Sequence, residues 1–210
     1  WKEYMSSYCS LTFDDGPNLT TSIRMIEVLE KHGAVGSFFV CGKNINEETE
    51  KVMLKAQSIG CTIENHSFSH SHMTELSEFQ IKNEFDMTSD MIQKVTGRRP
   101  EFFRAPYIDA DDKVFSSVPV PFIEGEGCED WLSEVDADTR YERILSTISN
   151  GSILLLHDFE GNEATVECID RLIPVLKEKG FEFLTVPEIF KKLEVDPNRH
   201  AQQRKNTRKI

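Results

Sequence analysis

The sequence predicts an α/β fold built around a mainly parallel β-sheet, either open or closed into a barrel. Short apolar runs alternate with amphipathic stretches along nearly all of the 210 residues, a pattern typical of repeated βα units. The run at residues 152–156 is almost entirely apolar, as expected for a strand that is covered on both faces. No repeat or low-complexity linker interrupts the pattern, so we predict one domain spanning residues 1–196.

In the first half of the chain, apolar runs predict strands at residues 8–13, 34–40 and 61–64. Apolar residues at intervals of three and four predict helices at residues 20–32, 47–58 and 76–95. Each of these helices is followed within two residues by a glycine, namely Gly33, Gly60 and Gly97. Glycine readily adopts the left-handed conformation that ends a helix, so these positions support the predicted boundaries.

In the second half, apolar runs predict strands at residues 101–103, 118–123, 152–156 and 182–184. Helical spacing predicts helices at residues 139–148, 164–179 and 187–193. Gly180 directly follows the second of these helices. The alternation of strand and helix therefore continues to residue 193.

The chain carries a net charge of −12, and its acidic residues all lie within residues 1–196. Residues 197–210 contain five basic residues and no acidic one, and they lack apolar periodicity. We predict a basic, solvated and mobile C-terminal tail for residues 197–210. An acidic body repels phosphates, which argues against a nucleic-acid partner.

The five cysteines are widely and unevenly spaced, which predicts buried thiols rather than a zinc ribbon or a disulfide framework. No apolar run approaches the roughly 20 residues needed for a transmembrane segment. The chain begins at Trp1 without a basic and apolar leader. We expect a monomeric domain excised from a longer secreted or anchored protein.

The chain is organised around residues 10–17, where a predicted strand runs into the adjacent carboxylates of Asp14 and Asp15. Two such acids cannot both be buried without a partner, so they either face water or lie beside a cation. Because the carboxyl ends of parallel strands face one rim, polar residues after other strands are expected to converge there. These residues are His66, His70, Arg104, Tyr107, Asp130, Trp131 and His157.

His66 and His70 lie four residues apart, so on a helical turn they would project the same way and could share a metal ion. With Asp15 they form a set of two histidines and one carboxylate that leaves positions for water and substrate. The spacing alone is also compatible with two structural histidines. For a metal, Zn²⁺ is the default and Co²⁺, Ni²⁺ or Fe²⁺ are alternatives.

Five segments, in order, resemble the motifs of the polysaccharide deacetylases, the NodB-homology family also called carbohydrate esterase family four. They are residues 12–17 (TFDDGP), 66–70 (HSFSH), 104–107 (RAPY), 130–131 (DW) and 154–158 (LLLHD). The resemblance implies a distorted (β/α)₇ barrel and metal-dependent removal of acetyl groups from a polysaccharide. The polymers handled by this family imply an extracellular or cell-surface location.

The resemblance also implies a role for each motif residue. Asp15, His66 and His70 would hold one divalent metal ion, Asp14 would act as general base, and His157 would act as general acid. Arg104 would orient Asp14, and Asp130 would orient His157. The backbone N–H of Tyr107 would help to hold the oxyanion, and Trp131 and Leu155 would enclose the acetyl methyl group.

Three residues depart from the family pattern or lie outside it. Glu64 occupies a position that is more often glycine, and we expect its carboxylate to face away from the metal. Ile108 replaces a glycine that often follows the tyrosine, which predicts a reshaped substrate rim. His72 is not a motif position, and we expect it at the surface.

The sequence alone favours N-deacetylation of N-acetylglucosamine residues in peptidoglycan or a chitin-type polymer, with an acetylxylan esterase as the alternative. A non-haem Fe(II) oxygenase also uses two histidines and a carboxylate, but Asp14 and His157 would then have no task. A non-catalytic sugar-binding module is a more remote alternative, because such a module is expected to lack an acid or a ligand and none is missing here.

Overall fold

The computed structural model describes residues 6–198 and 202–208. The strands are β1 (Ser7–Asp14), β2 (Gly36–Val40), β3 (Thr62–Asn65), β4 (Phe122–Ile123), β5 (Glu126–Gly127), β6 (Ser152–His157), β7 (Phe181–Phe183) and β8 (Gln203–Arg204). The α-helices are α1 (Thr21–His32), α2 (Thr49–Ser58), α3 (Glu78–Thr96), α4 (Asp112–Ser117), α5 (Ala137–Thr147), α6 (Glu163–Glu178) and α7 (Val186–Lys192).

The strand β1 lies at the centre of the sheet. It pairs in parallel with β6 along residues 9–14 and with β2 along residues 11–14, while β7 pairs with residues 7–9. The strand order is β3-β2-β1-β6-β5. Residues 9–14 are all buried, as expected for a strand with neighbours on both edges and cover on both faces. The predicted mainly parallel α/β fold is confirmed.

The sheet curves into a distorted barrel. Asn65 at the end of β3 forms a parallel bridge with Phe103, which forms another with Phe122 of β4. Two intervening residues, Glu124 and Gly125, connect β4 to β5, which pairs with β6. Residues 122–127 therefore close the ring, since their first part faces β3 through Phe103 and their second part pairs with β6.

The main core lies between the sheet and helices α1 and α6. Phe13 of β1 packs against Phe38 of β2 with ring centroids 5.0 Å apart. Met25 and Leu29 of α1 and Leu172 of α6 are fully buried in the same cluster. Burial of each such side chain contributes roughly 1.5–3 kcal/mol to folding, so this cluster anchors the strand that carries Asp14.

Two of the predicted strands are largely lost in the structure. In residues 101–103 only Phe103 takes part in β-bridges, because the side chain of Glu64 accepts the N–H groups of Glu101 and Phe102 instead. The predicted strand at 118–123 is reduced to β4, since Pro119 and Pro121 cannot donate to a ladder.

The helix α4 was not predicted, and its N-cap explains why it forms. The side chain of Asp111 accepts a hydrogen bond from Val114 N at 3.0 Å. Val114 is fully buried in a second apolar cluster with Phe103 and Phe122. A capped turn with one buried apolar residue is therefore sufficient here, although it is too short to show helical periodicity in the sequence.

The predicted solvated tail is wrong for residues 202–208. Here β8 pairs in parallel with β4, and Asn206 forms an antiparallel bridge with Ser152 of β6. Thr207 is buried. The segment is held by backbone hydrogen bonds and by pairing of its basic residues with acids on residues 124–126, so it needs no apolar periodicity. Residues 199–201 and 209–210 lie outside the described residues.

All five cysteines are free and buried, as predicted. Burial raises the pKa of the Cys9 thiol to about 12 and that of Cys61 to about 11, which makes both thiols unreactive at neutral pH. Across residues 6–198 and 202–208, no helix has the length and apolar character required to cross a membrane.

Candidate active site

The candidate site lies at the carboxyl ends of neighbouring parallel strands. In the ladder between β1 and β6, Asp14 is directly paired with His157. His66 follows β3, and Arg104 follows the bridging residue Phe103. The expected convergence on one rim is therefore found, and it results from the parallel register of the strands.

Asp15, His66 and His70 form a compact group of metal-binding type. Their ligand atoms all lie within 4.8 Å of one another. Oδ1 of Asp15 is 3.4 Å from Nε2 of His66 and 3.1 Å from Nε2 of His70. Burial acts to raise the pKa of Asp15, but the two imidazoles outweigh it and hold that pKa well below its usual range.

The two histidines are not on a helical turn, which corrects the geometric basis of that expectation. Residues 66–72 form an irregular loop in which Ser67 and His70 have φ values of 65° and 62°. Ser67 N donates to the side chain of Asn65 at 2.8 Å, and Ser67 Oγ accepts from His70 N at 3.1 Å. Local hydrogen bonds of this kind allow a non-glycine residue to hold a left-handed conformation.

The tautomer of His66 indicates that a cation fits between these residues. Nδ1 of His66 lies 2.7 Å from the carbonyl oxygen of Arg104, so Nδ1 carries a proton and Nε2 is the ring nitrogen that faces Oδ1 of Asp15. Oδ1 of Asp15 is a buried oxygen that has no hydrogen-bond donor among the described residues. An imidazole nitrogen and an unpartnered carboxylate oxygen that face each other can both bind one cation, and these ligand types suit a divalent metal.

Asp14 is held by Arg104 in the interior of the protein. Nη1 of Arg104 donates to Oδ1 of Asp14 at 2.6 Å, and both side chains are buried. Nε of Arg104 binds the carbonyl of Ile123, and its guanidinium lies 4.3 Å from the ring of Phe39. The guanidinium therefore fixes one oxygen of Asp14, while Oδ2 lies 3.7 Å from Nε2 of His66.

His157 and Asp130 form a second ion pair. Oδ1 of Asp130 lies 2.8 Å from Nδ1 of His157, and Oδ2 accepts the backbone N–H of the same residue at 2.7 Å. Burial lowers the pKa of His157, but the hydrogen bond and charge of Asp130, together with the charges of Asp14 and Asp15, raise it to about 9. The imidazole is thus protonated at neutral pH. Because Nδ1 is paired with Asp130, Nε2 is the ring nitrogen available to a ligand in the cleft.

These groups meet in a cleft of about 380 Å³. Trp131 and Tyr107 stand partly exposed at its rim, while Leu155 is buried in its wall. The lining residues are Asp14, Asp15, His66, His70, Ala105, Tyr107, Ile108, Trp131, Leu155 and His157. Eight of the ten predicted site residues thus line one cleft, and the other two, Arg104 and Asp130, lie behind it against Asp14 and His157.

The rim around Tyr107 has an unusual backbone. Tyr107 and Ile108 have φ values of 58° and 57°, a conformation that favours glycine and costs of the order of 1 kcal/mol in other residues. The ring of Tyr107 stacks on His72 at 4.0 Å and meets His70 edge-on at 4.7 Å. His72 is half-exposed, as expected, and it also supports the rim.

Two buried acids lie close to the site without joining the metal-binding group. Glu64 accepts the N–H groups of residues 101 and 102, as expected for a carboxylate that faces away, and burial raises its pKa to about 8. Asp158 binds the hydroxyl of Ser22, and burial with the nearby charges of Asp14 and Asp15 raises its pKa to about 7.

Four supporting residues were missed by the sequence analysis. Oε2 of Glu84, on α3, accepts the N–H groups of Phe68 and Ser69 at 2.9 and 2.7 Å and so anchors the histidine loop. Thr165 donates to Asp130 at 2.9 Å. The missed residues are Asn65, Glu84, Asn162 and Thr165. Asn65 and Asn162 lie close to motifs, and this position was a sequence signal for a supporting role. Glu84 and Thr165 lie within helices, where the neighbouring sequence gives no such signal.

The sequence was also compared with known proteins. The family model described as polysaccharide deacetylase matches residues 3–118, which is more than half of the chain. The chain belongs to the polysaccharide deacetylase family. The resemblance drawn from the five motifs and the NodB-type α/β fold are both confirmed.

Three relatives of this deacetylase domain bear on its chemistry. The bifunctional xylanase/deacetylase of Pseudobutyrivibrio xylanivorans is 39% identical over 189 residues, covering 90% of this chain and 31% of the relative. The family 4 acetyl xylan esterase of Clostridium thermocellum, solved in complex with a cobalt ion, is 32% identical with a TM-score of 0.91, covering 95% of this chain and 98% of that one. The peptidoglycan-N-acetylglucosamine deacetylase of Bacillus cereus is 29% identical over 193 residues, covering 89% of this chain and 70% of the relative.

The domain spans about a third of the length of the xylanase/deacetylase that it matches. The relatives named above include both deacetylases and an esterase. The predicted class of hydrolase, with N-deacetylation and O-deacetylation as its two options, is therefore confirmed at the level of the family.

Proposed function

We propose that this chain is a metal-dependent hydrolase that removes acetyl groups from an acetylated polysaccharide. The observation that carries the proposal is the arrangement of three groups around one cleft: the Asp15, His66 and His70 group, the arginine-held Asp14 and the aspartate-held His157. In this proposal, the set supplies a base and an acid beside a cation site. Metal-assisted hydrolysis of an acyl bond uses those three functions.

When bound at Asp15, His66 and His70, a divalent cation supplies Lewis-acid chemistry and lowers the pKa of water from about 15.7 toward 7. Asp14 accepts a proton from the attacking water, because Arg104 holds one carboxylate oxygen in place and leaves the other near His66. His157 then donates a proton from Nε2 to the leaving oxygen or nitrogen. The N–H of Tyr107 contributes to binding of the oxyanion, and Trp131 and Leu155 enclose the methyl group.

We propose O-acetylated xylan as the first candidate substrate and N-acetylglucosamine polymers as the second. The two relatives named for xylan chemistry are 39% and 32% identical to this chain, and the peptidoglycan deacetylase is 29% identical. This order reverses the preference drawn from the sequence alone. The N-deacetylase stays as the second candidate, because the same water attack cleaves an ester or an amide and the B. cereus relative covers most of this chain.

We propose Zn²⁺ as the native ion and Co²⁺ or Ni²⁺ as functional replacements. The donor set of two imidazoles and one carboxylate suits all three, and the C. thermocellum relative is described with cobalt. Polymeric substrates support an extracellular or cell-surface location, and we propose that the domain acts as a monomer.

The test is acetate release from acetylated xylan and from chitotetraose, using protein stripped of metal and then reloaded with Zn²⁺ or Co²⁺. We expect release only after reloading, and a higher kcat/KM for acetylated xylan. His70→Ala should remove both metal binding and release, whereas His32→Ala, a change at a histidine bound to Asp170 on the surface of α1 and α6, should leave both unchanged. Metal-independent release would overturn the mechanism, and oligosaccharide binding without any release would favour the sugar-binding module.

A further inference from the structure

Residues 124–127, which we call the wall, pack behind Leu155 and Trp131. We call the space between these two side chains the acyl pocket. A Cβ atom at Gly125, where φ is 92°, would lie 3.0 Å from Cβ of Leu155 and 3.1 Å from Nη2 of Arg104. A Cβ atom at Gly127 would lie 3.3 Å from the Trp131 ring and 3.7 Å from Cδ2 of Leu155. The position of this wall therefore sets the space between Trp131 and Leu155.

The wall has little support from the sheet itself. Only Glu126 and Gly127 pair with β6. The backbone N–H groups of Glu124 and Gly125 both donate to the carbonyl oxygen of Arg204, at 2.8 and 3.2 Å. Two of the four wall residues are thus held by the C-terminal segment rather than by the barrel.

Side chains of the C-terminal segment add further ties to the wall. Lys205 pairs with Glu124 at 2.9 Å, and Asn206 donates to Glu126 at 2.8 Å. Arg208 also pairs with Glu126. Basic side chains after residue 203 therefore match the acids at positions 124 and 126.

The same segment is anchored at the start of β6. Thr207 N donates to the carbonyl oxygen of Gly151 at 3.0 Å, and Asn206 bridges Ser152. Residues 203–208, which we call the C-terminal strap, thus lie between the wall and the strand that carries Leu155 and His157. The C-terminal strap therefore contacts both the wall and strand β6, which lie on two sides of the acyl pocket.

We propose that the C-terminal strap fixes the width of the acyl pocket and so determines selection of acetyl over longer acyl groups. The inference rests on the proposed function, because it concerns the acyl group that the cleft receives. The strap residues are positioning residues, since Arg204, Asn206 and Arg208 act through residues 124–127. One methylene is worth roughly 10–200-fold in a well-formed apolar pocket, so a loosened wall should reduce that discrimination.

The test compares wild type with Arg208→Ala and with the double variant Asn206→Ala/Arg208→Ala. Arg99→Ala serves as the control, because Arg99 forms a similar exposed ion pair with Asp90 on another surface. The first readout is amide hydrogen exchange at residues 124–127. The second is the ratio of kcat/KM for acetylated over propionylated oligosaccharides, measured with xylotetraose esters and with chitotetraose and its N-propionyl counterpart.

We expect faster exchange at residues 124–127 and a ratio lowered by about fivefold or more in the double variant, within the range that one methylene can supply. Unchanged exchange, or faster exchange with an unchanged ratio, would overturn the proposal. If the double variant does not fold, Arg208→Ala alone decides, since that side chain is 44% exposed. Wild-type protein that releases no acyl group would defeat the proposed function, whereas hydrogen exchange would still show whether the strap holds the wall.

Discussion

The carbonyl oxygen of Arg104 lies 2.7 Å from Nδ1 of His66, while the guanidinium of the same arginine binds Asp14 at 2.6 Å. One residue therefore sets the tautomer of a candidate metal ligand with its backbone and the orientation of the candidate base with its side chain. Hydrogen bonds from behind a ligand commonly tune metal affinity. The cation site and the base are thus coupled through Arg104.

Asp14→Asn should abolish most of the activity without removing the metal. An amide cannot accept the proton from water, and general-base catalysis contributes about 10²–10⁴-fold. We therefore expect kcat to fall by that factor while metal content, measured by elemental analysis, stays at the wild-type level. Full turnover by Asp14→Asn would show that another group is the base.

The pH profile of kcat/KM should have an alkaline limb set by His157. A general acid works only when protonated, and the pKa of His157 is raised to about 9. Activity should therefore persist through neutral pH and decline as pH rises through that value. A bound cation offsets part of the Asp14 and Asp15 charge, so the limb of the loaded enzyme should lie at or below pH 9.

Asp130→Asn should move this limb to lower pH, because it removes the charge that raises the pKa of His157 while burial continues to lower it. The surface change Glu134→Gln is the matched control and should leave the limb in place. If the alkaline limb of kcat/KM is unchanged in Asp130→Asn, His157 is not the general acid.

Glu84→Gln and Glu84→Ala should weaken metal binding although Glu84 is not a ligand. Its carboxylate accepts two N–H groups from the loop between His66 and His70. Loss of such an outer partner typically costs about 10–100-fold in metal affinity or activity. Titration calorimetry with Zn²⁺ should show the larger loss for the alanine variant, since the glutamine amide oxygen can still accept a hydrogen bond.

Asp158 should make the metal-free protein less stable as pH rises. Its folded-state pKa is raised to about 7, whereas an unfolded aspartate titrates near 3.9. The folded state then binds more protons between these values, so the stability contributed by protonated Asp158 is full below about pH 4 and is lost as pH rises through 7.

Asp158→Asn should therefore flatten the fall in Tm between pH 4 and 7, as measured by thermal unfolding, and Glu167→Gln at an exposed position should not. An equal slope in wild type and Asp158→Asn would mean that Asp158 is already ionised in the folded protein.

Motif order and apolar periodicity were sufficient to predict the parallel sheet, the main helices and ten residues that the structure brings to one cleft or directly behind it. Strand β1 illustrates why this works: a largely buried strand of eight residues ends in Asp14, with Asp15 directly after it, and so carries both the pairing and the chemistry. By contrast, the spacing of His66 and His70 suggested a helical turn, and the loop conformation depends on Asn65 and on the distant Glu84. A backbone held by long-range hydrogen bonds leaves no periodic trace in the sequence.

What the sequence determined by itself is the set of reactive groups and the βα order that places them at one rim, because local patterns encode strand direction and residue type. Only the tertiary structure decided the tautomer of His66, the closure of the barrel and the conformation of residues 202–208. Each of these depends on groups far apart along the chain, such as Arg204 against Glu124 and Gly125. Their meeting is set by packing of the whole barrel rather than by any local preference.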